Sequence, residues 1–146
     1  MTALDMGGTA DLFVSIVLNG TVAGNGNLVD EGTVLRINLA FASASMPTVE
    51  SMTTIGSGFP ERTDPVVRSE RPAGSHGGSV NGDIFSVNGN NGLLVVSTPS
   101  TGQIGHRLLD ISGTPPGNGA LFGLATAPEG LYFVDDDTNT LNLLKK

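Results

Sequence analysis

Residues 34–41 read VLRINLAF, within a run from 33 to 46 that has no glycine or proline. Leu35, Ile37, Leu39 and Phe41 recur at every second position, with Arg36 and Asn38 between them. That period puts apolar and polar side chains on opposite faces of an extended strand, half-buried on its apolar side. A helix would need apolar positions three and four apart. The same extended reading suits 11–18 (DLFVSIVL), 47–55 (PTVESMTTI), 83–87 (DIFSV), 93–97 (LLVVS), 103–111 (QIGHRLLDI), 120–127 (ALFGLATA), 131–134 (LYFV) and 141–144 (LNLL). Clusters of Gly, Pro, Asn and Asp bound most of these segments, as they do strands. No segment carries a convincing helical pattern, so the expected fold class is all-β, built of short antiparallel strands.

Composition agrees. Charged residues make up 14% of the 146, and the chain has 21 Gly and 8 Pro. Glycine is costly inside regular elements and serves tight turns well, so such a chain has many turns. The length corresponds to a single domain with one core. Net charge is −7, and the seven cations form no basic stripe, which argues against nucleic-acid binding. There is no cysteine, hence no disulfide, thiolate metal site or Cys nucleophile. No apolar run approaches the length of a membrane span. The start, MTALDMGGTADLF, lacks a basic region followed by an apolar one. It predicts no signal peptide, and so a cytoplasmic chain, or an exported one whose leader has been removed.

A repeat is visible at an offset of 47 residues. Ile84 aligns with Leu131, Phe85 with Tyr132, Val87 with Val134, Asn88 with Asp135, Asn90 with Asp137 and Leu94 with Leu141. A third copy begins at Asp11-Leu-Phe-Val-Ser, which makes Phe13 the counterpart of Phe85 and Tyr132 and predicts all three in the core. Its second strand is GTVLRINLAF, delayed by the insert NGTVAGNGNLVDE. A period in the forties with several strands per unit is the pattern of propeller blades.

Residues 121–144, LFGLATAPEGLYFVDDDTNTLNLL, resemble a blade of the NHL-type β-propellers: an apolar strand, Pro-x-Gly, an aromatic strand ending in Val-x-Asp, a polar turn and an apolar strand. Residues 81–104 resemble the same unit without its first strand. The resemblance implies antiparallel blade-like sheets forming a partial propeller; a compact sandwich or barrel is the alternative. The expected units are 11–60, 81–116 and an incomplete 117–146. Between the first two lies 61–80, with Arg62, Arg68 and Arg71 and few apolar residues, which predicts a long loop or disordered linker. Two to three units are too few for a ring, and the last ends at LNLLKK without an outer strand. Unpaired edges invite pairing, so the expected partner is a second copy of the chain, in a homo-oligomer, most simply a dimer, formed by strand pairing.

The candidate site is the aspartate cluster. Asp135, Asp137 and Asn139 stand at positions 1, 3 and 5, the spacing by which calcium loops converge hard oxygens on one cation. Thr140 occupies the place of the usual glycine, and no Glu follows at position 12. The competing reading is a hairpin turn, where Asp and Asn bond their own backbone. No other cofactor is expected. His76 and His106 could meet only if distant segments converge, and the Gly-rich 24–32 and 56–62 lack the Lys-Ser/Thr of a phosphate cradle. Catalytic residues are not assigned: the carboxylates are scattered and no G-x-S-x-G elbow occurs.

Three functions follow. The first is a non-catalytic binding or scaffold module that assembles through exposed sheet edges. The second is a calcium-dependent hydrolase or lactonase of the six-bladed propeller type, which the resemblance implies, with Asp135, Asp137 and Asn88 as ligands. The third is a fragment without activity of its own.

Overall fold

A computed structural model describes residues 1–16, 20–42, 46–61, 77–80, 82–89, 91–112 and 121–145. It is all-β. Three antiparallel sheets run in chain order, and none closes on itself. Sheet 1 is β1 (Thr2–Asp5), β2 (Thr9–Ile16), β3 (Val29–Ala40) and β4 (Thr48–Glu61). Sheet 2 is β5 (Gly77–Val80), β6 (Asp83–Asn88), β7 (Leu93–Thr98) and β8 (Gly102–Leu108). Sheet 3 is β9 (Leu121–Ala127), β10 (Gly130–Asp135) and β11 (Thr140–Lys145). Each strand pairs with its neighbour in sequence, as short turns favour.

Two apolar clusters hold the sheets face to face. Phe13, Val34, Ile55 and Phe59 of sheet 1 pack on Ile84 and Val95 of sheet 2. Val87 and Leu94 of sheet 2 pack on Leu121, Leu131 and Phe133 of sheet 3. Sheet 2 is therefore apolar on both sides. The ladder shows how: Ile84 pairs with Ser97 and Ser86 with Val95, while Phe85 pairs with Val96 and Val87 with Leu94. Residues opposite one another share a face, so the first set turns to sheet 1 and the second to sheet 3. Complete burial of each such side chain is worth about 1.5–3 kcal/mol. The first strands also follow one another, with β5 touching both β1 and β9.

Four expectations change. Residues 77–80, expected within a loop, form β5 and pair with β6. Gly-Gly-Ser-Val has no apolar alternation from which a strand could be read. Residues 62–76 lie outside the described residues. A fourth strand, β1, opens sheet 1 ahead of the first expected segment. Thr21–Gly24 forms one helical turn between left-handed Gly20 and Asn25, where no helix was expected. Finally, the faces of β3 are reversed. Arg36 pairs with Phe13 and Asn38 with Asp11, so the polar side of this strand turns towards sheet 2. Leu35, Ile37 and Leu39 pair with Val14, Leu12 and Ala10 on the outer side, where the three leucine and isoleucine side chains are half-buried, and Phe41 is exposed. Alternation gives two faces but does not say which is covered.

Candidate functional site

The two chain-equivalent hairpins are built alike. β6 ends at Asn88 and β10 at Asp135, and both side chains are buried. β7 follows Gly92 at φ 66°, and β11 follows Asn139 at φ 53°. Both turns thus close through a left-handed residue at the same repeat position, 47 residues apart. Asparagine is among the few residues besides glycine that tolerate that conformation. Asp135 Oδ1 accepts the Thr138 N–H at 3.2 Å, and the Asn139 N–H donates to the Asp136 carbonyl at 3.3 Å. Asp135 and Asn139 therefore act in the turn itself.

Asp137 does something different. Its Oδ2 lies 2.7 Å from Ser112 Oγ, which lies 2.7 Å from Asp110 Oδ2 as well. The Asp110 carboxylate also accepts the Ser112 N–H at 3.0 Å. A hydroxyl has one hydrogen, so Ser112 can donate to only one carboxylate at a time. The arrangement ties the segment after β8 to the β10–β11 turn through oxygen atoms alone. Asp110 and Ser112 are half-buried and Asp137 is exposed. Sequence reasoning missed Asp110 and Ser112, because 25 residues separate Ser112 from Asp137 and only the stacking of sheet 3 on sheet 2 brings them together.

The other expected ligand, Asn88, lies elsewhere. Its Nδ2 donates to the Pro60 carbonyl of sheet 1 at 3.4 Å. Asn88 shares the face of Ile84 and Ser86, so sheet 2 stands between it and the aspartate turn. No group of three or more His, Asp or Glu that could hold a metal occurs among the described residues. His106 and Arg107 are both exposed on β8, an edge strand. His76 lies outside the described residues.

Asp11 is a buried charge, 4% exposed. Arg36 Nη2 donates to its Oδ2 at 2.7 Å, and Asn38 Nδ2 to its Oδ1 at 3.0 Å. Burial pushes this carboxyl up, but the Arg36 and Asn38 hydrogen bonds and the Arg36 charge outweigh it. The net effect holds Asp11 below its ordinary value. At the start of β10, Tyr132 donates its hydroxyl to Glu129 Oε1 at 2.8 Å. Glu129 is lowered by its own backbone N–H and by that hydroxyl, and Tyr132 is raised by the same bond. Of the equivalent aromatics, Phe13 is in the core, Phe85 is half-buried against the second cluster, and Tyr132 lies on the outer side of sheet 3.

No protein-family model, no curated protein and no solved structure matches this chain.

Proposed function

We propose that the chain is a non-catalytic binding or scaffold module, an arc of a β-propeller that assembles with its own kind through sheet edges. Its support is the stack of four-, four- and three-stranded sheets with β1, β5 and β9 in succession, the order in which inner strands of blades surround an axis. The observation that carries the assembly is β11. Sheets 1 and 2 each have a fourth strand outside the third, whereas among the described residues sheet 3 ends at β11, an edge reading Thr-Leu-Asn-Leu-Leu-Lys. Such an edge offers a row of backbone donors and acceptors, with a single charge to discourage pairing. Proline at Asn142 or Leu143 tests it. Successive N–H groups of a strand point to opposite sides, so one of the two replaces an outward donor. That variant is expected to keep its strand signal in circular dichroism and lose self-association in light scattering. Unchanged association in both variants would sink the edge reading.

A second reading is favoured by one observation, the approach of Asp110, Ser112 and Asp137. Their oxygens are of the kind calcium takes, and a calcium-dependent hydrolase or lactonase would draw on such a site. Thermal melting with calcium, and with a chelator, tests it. Calcium at 100 times its dissociation constant stabilises by about 2.7 kcal/mol. No shift with either reagent removes this reading. An ester and lactone panel with Asp137→Ala as control tests the chemistry.

A further inference from the structure

The repeat compares the same position in a covered and an uncovered sheet. Val87 and Leu94 lie on the face of sheet 2 that turns to sheet 3, and they are 0% and 2% exposed. Their counterparts Val134 and Leu141 lie on the outer face of sheet 3 and are 38% and 68% exposed. Phe122, Tyr132 and Leu143 share that outer face, since Val134 pairs with Phe122 and Leu141, and Tyr132 with Leu143. The reverse holds at the other end. Ile84 and Leu131 are buried under the preceding sheet, whereas their counterpart Leu12 is half-buried on the outer face of sheet 1. Leu12 is joined there by Val14, Leu35, Ile37, Leu39 and the 66%-exposed Met52. Large apolar faces left open in this way mark interaction surfaces.

The stack has a direction. Each sheet gives its following face to the preceding face of the next. Among the described residues, the following face of sheet 3 and the preceding face of sheet 1 are the ones left uncovered. These are the two halves of the contact already made twice inside the chain. Charge agrees with their juxtaposition. Lys145 pairs with Gly130, which puts it on the outer face of sheet 3 at the start of β10. Asp5 pairs with Ala10, which puts it on the outer face of sheet 1 at the start of β2. The repeat sets Asp11 against Gly130, so the opposite charges stand at the same end of the two faces.

We infer that a second copy of the chain covers both faces, sheet 3 of each copy on sheet 1 of the other, closing a two-fold ring of six sheets. This rests on the propeller-arc reading above but needs no strand exchange. A second copy satisfies both at once, and the contact closes rather than growing into a filament.

Leu141→Lys and Met52→Lys test the ring, because both side chains are exposed and neither change disturbs the core. The full chain is expected to run in sedimentation and light scattering as twice its 14.9 kDa mass. Each variant is expected to weaken association at least ten-fold. An equimolar mixture of the two is expected to recover dimer, since one of its two contacts then joins unaltered faces. A monomeric parent chain, an open series of larger oligomers, or face variants that associate like the parent overturns the ring. If the β11 proline variant dissociates while both face variants remain dimeric, the ring is wrong and the edge reading stands. The converse result supports the ring and removes the edge.

Discussion

Arg36 and Asp11 meet at 2.7 Å diagonally across the β2–β3 ladder, beside Phe13 and on the side that packs against sheet 2. Asp11 is 4% exposed, and its carboxylate is satisfied by Arg36 and Asn38 together. Arg36 keeps about a third of its side chain in water, so its charge is partly screened. Replacing Asp11 by Asn leaves the guanidinium without its counterion. The expected loss is about 1.5–3 kcal/mol, the range for a hydrogen bond to a charged group, read from urea unfolding at neutral pH.

The same pair predicts a direction with pH. The folded value of Asp11 lies below its ordinary 3.8, so the unfolded chain binds its proton first as pH falls. The stabilising contribution is complete well above 3.8 and disappears as pH drops through the lower folded value. Asp11→Asn is expected to flatten this part of the stability profile, the difference from the parent chain shrinking at acid pH. A difference that grows on acidification would contradict the assignment.

Gly130 opens β10 with φ 155°, and a Cβ there would lie 2.2 Å from the Leu144 carbonyl oxygen of the paired strand. Backbone, not a flexible side chain, stands in the way. Gly130→Ala is expected to cost about 1–3 kcal/mol, as strained backbone does, and to loosen the β10–β11 ladder in hydrogen exchange. Gly105 in β8 is the control, since nothing lies within 4 Å of its Cβ position and its φ is not in the left-handed range. Gly105→Ala should change stability by no more than about 0.5 kcal/mol in the destabilising direction.

The turn of sheet 3 shows what the sequence made legible. The 47-residue offset predicted that Asn88 and Asp135 are equivalent, and both end the second strand of their sheets in buried positions. It also carried Gly92 onto Asn139, which share a left-handed backbone. β5 was hidden because a Gly-Gly-Ser strand has no apolar period. The outward turn of Leu35 and Ile37 was hidden because alternation is silent on which face meets a neighbour. The Asp110–Ser112–Asp137 contact depends on how two sheets stack, which no local pattern encodes.

Asn139 follows from the same comparison. Asn139→Gly should leave stability unchanged or raise it, because the left-handed residue of the equivalent turn is already Gly92. Asn139→Ala should lower it by about 1 kcal/mol, because alanine keeps the Cβ that crowds the following carbonyl but lacks the short polar side chain whose local hydrogen bonding lets asparagine adopt this conformation. Were Asn139 held instead as a cation ligand, Gly would cost as much as Ala in the presence of calcium. Melting of both variants with and without calcium separates the two.

Tyr132 is the chain's only tyrosine, and there is no tryptophan. Its near-ultraviolet titration therefore reports one phenol. Ionising that phenol removes the proton it donates to Glu129 and sets two negative charges side by side, so its pKa lies above the ordinary 10.0. Glu129→Gln removes the charge and weakens the acceptor, and is expected to bring the titration midpoint down towards 10.0. Because both groups are open to solvent, high salt should act in the same direction by screening the carboxylate. A midpoint that does not move in Glu129→Gln would place the tyrosine hydroxyl elsewhere on the outer face of sheet 3. The same titration doubles as a probe of that face: if a second copy packs over Tyr132, dilution through the dimer-to-monomer range should shift the midpoint in the parent chain and not in Leu141→Lys.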